Sequence, residues 1–141
     1  MNGYLVDTNI PSELTRETPD PRVSEFLQSI DKTSVYMSAM TVGEICKGIG
    51  TLAPSARRAG LQHWLDYDVR TWFANRILPV DEAVAERWGK LAATARQHGI
   101  GLAVIDGVIA ATALHHRLTL VTRNTKDFAG LGIAMINPWE I

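Results

Sequence analysis

Hydrophobic positions along the chain follow two periods. Tyr4-Leu5-Val6, Ser34 to Ser38, Leu118 to Thr122 and Ile133 to Ile136 are short, nearly unbroken apolar runs. Runs of that length and composition read as strands of a sheet buried on both faces. Between them, apolar residues recur at spacings of three and four. Val23, Phe26, Leu27 and Ile30 follow Asp20-Pro21, a cap and a first-turn proline. Val42, Ile45, Cys46 and Ile49 form a second stripe, and Thr41 with Glu44 has the spacing of a capping box. Leu61, Trp64, Leu65 and Trp72 mark one long helix from Ala56 to about Ala74. Val84, Trp88, Leu91, Ala92 and Ala95 mark another, capped by Asp81 and ended at His98-Gly99.

Two further segments complete the pattern. A short helix is predicted after Asp7, with Thr8 or Asn9 as cap and Pro11 in its first turn. Ala103 to His116 is apolar nearly all round, which predicts a centrally buried helix. Arg76 to Val80 reads as an edge strand at best, because Pro79 lacks a ladder donor. Strands alternating with helices predict an α/β fold, with a central parallel sheet of four to five strands flanked by helices. Nothing resembling a linker divides residues 1–141, so a single domain is expected.

Composition narrows the function classes. Of 141 residues, 46% are hydrophobic and 21% charged, and the net charge is −1. That balance argues against a binder holding nucleic acid by bulk positive charge, but is compatible with an acidic metal site beside a local basic rim. The one cysteine, Cys46, excludes an internal disulfide, fits a reducing cytoplasm and reads as a small hydrophobe. No apolar run is long enough to span a membrane, and no signal peptide is evident.

Three acids stand out by their setting. Asp7 ends a buried-looking strand, where open α/β sheets bind their ligands. Glu44 lies early in a helix, and Asp106 sits between Ile105 and Val108 near the start of the most apolar helix. Each also has an ordinary structural reading: a helix cap, half of a capping box, a charge complementing a helix dipole. Burying lone carboxylates is costly unless they are paired or metal-bound, and a hard cation such as Mg²⁺ or Mn²⁺ explains all three at once. Such a site activates water and offsets charge on a phosphate.

Four blocks carry a resemblance. They are Leu-Val-Asp7-Thr-Asn-Ile, Ser38-Ala-Met-Thr-Val-Gly-Glu44-Ile, Ile105-Asp106-Gly-Val-Ile-Ala-Ala-Thr-Ala and Leu-Val-Thr122-Arg123-Asn124-Thr-Lys-Asp127-Phe. In this order they closely resemble PIN-domain ribonucleases, nearest to the VapC toxins and their FitB-like branch. The closing Ile136-Asn137-Pro138-Trp139 resembles that branch too. The resemblance implies a metal-dependent endoribonuclease using Mg²⁺ or Mn²⁺, with Asp7, Glu44 and Asp106 as catalytic and metal-binding acids. It implies Thr8, Asn9, Ser38 and Thr122 as polar lining. It also implies a homodimer with a cognate antitoxin, and DNA contact only through that antitoxin. The helix bearing Trp64 and Trp72 is one candidate contact face. This sequence departs from the pattern at Asn124, where many relatives carry a fourth acid; Asn124 or nearby Asp127 is the expected replacement. Arg123, Lys47, Arg57 and Arg58 are candidates for gripping RNA phosphates. The competing reading is a catalytically weakened PIN domain acting as a protein- or RNA-binding module. A haloacid-dehalogenase-type phosphatase would need an aspartate where Asn9 stands, and a dinucleotide fingerprint lacks its third glycine after Gly99-Ile-Gly101.

Overall fold

The computed structural model describes residues 3–141. In chain order its elements are β1 (Gly3–Val6), α1 (Asn9–Leu14), α2 (Pro21–Ser29), β2 (Val35–Ser38), α3 (Ala39–Gly50), α4 (Ala56–His63), α5 (Arg70–Trp72), β3 (Ile77–Leu78), α6 (Glu82–Gln97), α7 (Val104–His116), β4 (Leu118–Val121) and β5 (Met135–Ile136). The strands form one sheet in the order β3-β2-β1-β4-β5, and every pairing is parallel. The five-stranded parallel sheet agrees with the sequence expectation, and the Pro79-flanked strand β3 is indeed at an edge.

β1 lies at the centre because it can bury both faces. Leu5 and Val6 are 0% and 1% exposed. Tyr4 and Val6 pack with Val23, Met37, Leu65 and Phe73 on one side. Leu5 packs with Ile109, Ala110 and Leu120 on the other. This alternation at a period of two sends successive side chains into two helical layers. The most apolar helix, α7, supplies much of the second layer, with Gly107 through Ala113 buried. Gly107 permits its close approach to α6, since a Cβ there would lie 2.9 Å from the Trp88 ring. That approach fixes the first turn of α7, which carries Asp106.

Several local expectations are corrected. Thr41 and Glu44 do not form a capping box. α3 begins earlier, at Ala39, and Ser38 caps it by accepting from the Met40 amide at 3.1 Å. Thr41 therefore falls inside the helix, buried, with no partner for its hydroxyl among the described residues. Both residues offered a hydroxyl cap, and the end of β2 decides between them. Cys46 is exposed rather than part of the apolar stripe. The helix expected over 56–74 ends at Trp72, and Trp64–Val69 within it is a π-helical stretch. Thr8 stands at the N-cap position of α1 as expected but makes no side-chain capping bond, and Asn9 is the helix's first residue. Their polar groups are spent on the site described next.

Candidate active site

The carboxyl ends of β1 and β4 meet at the point where the chain turns to opposite sides of β1. That is where open α/β sheets hold their ligands. Asp7 follows β1 directly, and its amide donates to the Val121 carbonyl at 2.9 Å, an extension of the ladder. Its carboxylate, 6% exposed, is gripped from several sides. Oδ1 accepts from the Thr8 amide at 2.8 Å, and Oδ2 accepts from Thr122 Oγ1 at 2.8 Å and Asn9 Nδ2 at 3.4 Å. Thr122, fully buried after β4, accepts the Asn124 amide at 3.0 Å on the same hydroxyl. Asn9 Oδ1 accepts the Arg123 amide at 3.2 Å. These bonds tie the ends of β1 and β4 into one polar unit and hold Asp7 in a single orientation.

Glu44 reaches the same place from α3. Its Oε1 accepts from Thr8 Oγ1 at 2.5 Å, a short charge-assisted bond. Asp106 comes from α7 on the far layer, and its electrostatics report its neighbours. Its pKa is pushed up from 3.8 to about 6, first by burial and then by the negative charges of Asp7, Asp127 and Glu44. Burial also raises Asp7 above its ordinary range; its hydrogen bonds to Thr122, Thr8 and Asn9 oppose the shift, and Asp127 adds to it. Four carboxylates from four segments therefore share one field. Among the described residues, no ion pair joins any of them to a lysine or arginine.

Asp127 is the acid that sequence reasoning underrated. Asn124 precedes the one-turn helix Thr125–Phe128, and Phe128 is buried at its end. With Phe128 anchored in the core, the turn brings Asp127 within the field of Asp7 and Asp106. A negative charge three residues after Asn124 thus acts on both acids. The clue in the sequence was the pair Asp127-Phe128, an acid beside a buried anchor.

The other expected site residues divide. Thr8, Asn9 and Thr122 belong to the Asp7 network. Ser38 is fully buried and spends its oxygen on the start of α3, so it positions the helix that carries Glu44. Arg57 lines a hollow of about 430 Å³ together with Thr8 and Glu44. Arg123 lines a second hollow, its guanidinium 5.2 Å over the Trp139 ring. Lys47 is exposed one turn beyond Glu44 on α3. Arg58 donates to the Leu52 carbonyl at 3.2 Å and latches the α3–α4 loop.

The donor set suits a hard divalent cation: oxygen ligands only, mutually repelling and without a basic partner among the described residues. Histidines and Cys46 contribute nothing to it. Among the described residues, no group of three or more His, Cys, Asp or Glu side chains stands at ligating spacing.

A parallel sheet that gathers acids at the carboxyl end of its central strands is the arrangement of a PIN domain. That family matches residues 4–133, and the chain belongs to it. The chain is 41% identical to toxin FitB of Neisseria gonorrhoeae over 136 residues, 96% of this chain and 98% of that protein. It is 35% identical to the VapC ribonuclease Y4jK of Sinorhizobium fredii, over 96% of this chain and 97% of that one. It also superposes on a chain in the structure of FitAB bound to an IR36 DNA fragment. The TM-score is 0.92 at 38% identity, with 98% of this chain and 96% of that chain covered. No helix among the described residues is long and apolar enough to cross a membrane.

Proposed function

We propose that this chain is an endoribonuclease dependent on Mg²⁺ or Mn²⁺, the toxin of a toxin–antitoxin pair. The observation that carries the reading is the shared field at Asp106, which Asp7, Asp127 and Glu44 all raise. FitB and the VapC ribonuclease, matched along nearly their whole length, support the substrate class and the toxin role. By the same likeness the chain works as a homodimer with a cognate antitoxin, meets DNA only through that partner, and acts in the cytoplasm. Residues 1–141 then form a single catalytic domain.

Asp7, Glu44 and Asp106 would hold the ion, with Asp127 lending charge and Asn124 a neutral oxygen. The ion supplies positive charge against the phosphate and lowers the pKa of water. The chain's own groups do the rest. Thr122, Asn9 and the Thr8 amide fix Asp7 before substrate arrives, so little reorganisation accompanies the reaction. Thr8 orients Glu44 through one oxygen, leaving the other to take a proton from the attacking water. In-line attack then breaks the bond to the 3′ oxygen and leaves a 5′-phosphate and a 3′-hydroxyl. Chromatography of the digested ends tests this directly. A 2′,3′-cyclic phosphate would contradict it, because the 2′-hydroxyl would then have been the nucleophile.

A second reading, a weakened domain that only binds, draws on Asn124, which brings no charge. The field of Asp127 at Asp7 and Asp106 weighs against it.

Thr122 offers a test of the supporting shell. Thr122→Val removes the hydroxyl that donates to Asp7 and accepts from Asn124. Losses of about 10–100-fold in metal affinity are usual when such a partner is deleted. Calorimetric titration with Mn²⁺ should show that weakening, and Thr122→Ser should restore most of it. Unchanged Mn²⁺ affinity in a folded Thr122→Val protein would remove Thr122 from the site.

A further inference from the structure

The second hollow, about 500 Å³, is lined by Arg22, Arg123, Asn124, Lys126, Asp127 and Trp139, among others. Its volume falls in the range of small-molecule sites. Three cations stand around it, and two are fixed before any ligand arrives. Arg22, from α2, is held by a forked pair to Asp20, with Nε to Oδ1 at 3.2 Å and Nη2 to Oδ2 at 2.9 Å. Arg123 is held over the Trp139 ring, whose residue is only 6% exposed. Asn137 Nδ2 donates to the Arg123 carbonyl at 3.3 Å and ties the same turn to the chain's end. Lys126 is exposed and has no ion pair among the described residues.

The turn over 123–127 joins this hollow to the acids. Its Asp127 lines the hollow and also acts on Asp7 and Asp106. Asp127 thus belongs both to the hollow that the cations line and to the field of the acids. The second carboxylate of the lining, Glu140, acts on Arg22, and Arg123 acts on Asp20 at a distance; among the described residues neither Arg123 nor Lys126 is in an ion pair.

We propose that this hollow is a subsite for the single-stranded RNA backbone, in which Arg22, Arg123 and Lys126 hold a phosphate next to the one being cleaved. The inference rests on the nuclease reading above and adds the path of the strand: away from Asp7, across the 123–127 turn, towards α2. A strand running that way passes from carboxylates to cations within one turn of chain. The low net charge of the protein then matters little, because the positive charge is concentrated where the strand lies.

The test compares Arg22→Gln/Lys126→Gln with the parent protein. Neither residue belongs to the acid cluster. Binding of a fluorescein-labelled 12-nucleotide uridine homopolymer is read by anisotropy at several salt concentrations, both proteins carrying Asp106→Asn to prevent cleavage. The double variant should bind about tenfold more weakly, and its slope of log affinity against log salt should fall by up to about 0.7, the one single-strand phosphate these cations hold. With Asp106 intact, both proteins should hydrolyse bis(p-nitrophenyl) phosphate equally with Mn²⁺, because that ester is too small to reach the hollow. Equal RNA affinity and equal slope would overturn the subsite. So would equal losses in ester hydrolysis and RNA binding, which would make the cations supports of the acid site. Polyglutamate displacing the RNA as well as unlabelled RNA does would overturn it in favour of an acidic protein partner. If neither protein hydrolyses the ester, the nuclease reading fails, while the binding comparison still decides the subsite.

Discussion

Asp106→Asn is expected to abolish RNA cleavage while making the metal-free protein harder to melt. Partners that merely support a ligand cost about 10–100-fold when deleted, so losing a ligand itself should cost at least about a hundredfold. The stability effect has the opposite sign, and its pH window follows from the raised pKa. Folded Asp106 titrates at about 6, above its ordinary 3.8. Between these values the folded state holds a proton that the unfolded state has released, so stability falls as pH rises through the window. Above pH 6 the full penalty of an ionised Asp106 among Asp7, Asp127 and Glu44 is present. Asparagine never incurs it. Thermal melts in EDTA should therefore show the two proteins alike near pH 3.5, the variant pulling ahead between pH 4 and 6, and a constant gap above. Adding Mn²⁺ at pH 8 should raise the wild type and close that gap. Wild type melting above the variant in EDTA at pH 8 would show that the carboxylates do not repel as described.

Phe128→Ala should produce the largest loss of stability. Phe128 is 1% exposed and packs among Leu5, Ile109, Ala110 and Leu120. Truncating a buried phenylalanine typically costs about 3–5 kcal/mol, through lost transfer energy and the cavity left behind. For a chain of this size the melting temperature should drop by about 10 °C or more. The same side chain anchors the turn that brings Asp127 to the acids. Activity per folded molecule should therefore fall as well, measured below the variant's transition. Phe128→Leu, which refills most of the volume, should recover the greater part of both. A folded Phe128→Ala protein with full activity would show that Asp127 needs no such anchor.

What the sequence made legible follows a physical line. Asp7 could be read because a carboxylate after Leu5-Val6 interrupts a run that buries both faces of a strand. Asp106 could be read because its helix is buried from Gly107 to Ala113, leaving no solvated face to explain an acid there. The parallel sheet followed from alternating periods, since parallel strands need helical crossovers. Other features were not local. Thr41 with Glu44 had the spacing of a cap, but pairing of β2 with β1 and β3 ends at Ser38, and α3 starts there. The π-helical stretch at Trp64–Val69 buries Leu65 and Val69 and carries no sequence mark of its own. Cys46 fits a helical stripe by spacing, yet the stripe's outer edge is solvent. Asp127 depended on the depth to which Phe128 is drawn, which only the assembled core sets. Arg22 was invisible as a site residue because it lies about a hundred positions from the turn it faces across the hollow.

Metal-dependent hydrolysis of RNA is the activity the acid cluster is expected to perform. A long end-labelled RNA should be incubated with the purified, antitoxin-free protein in Mg²⁺, in Mn²⁺ and in EDTA. The prediction is internal cleavage with either metal, none in EDTA, and recovery when excess metal is restored. Cleavage that persists in EDTA, or folded protein that leaves a pooled RNA panel intact in both metals, would contradict it.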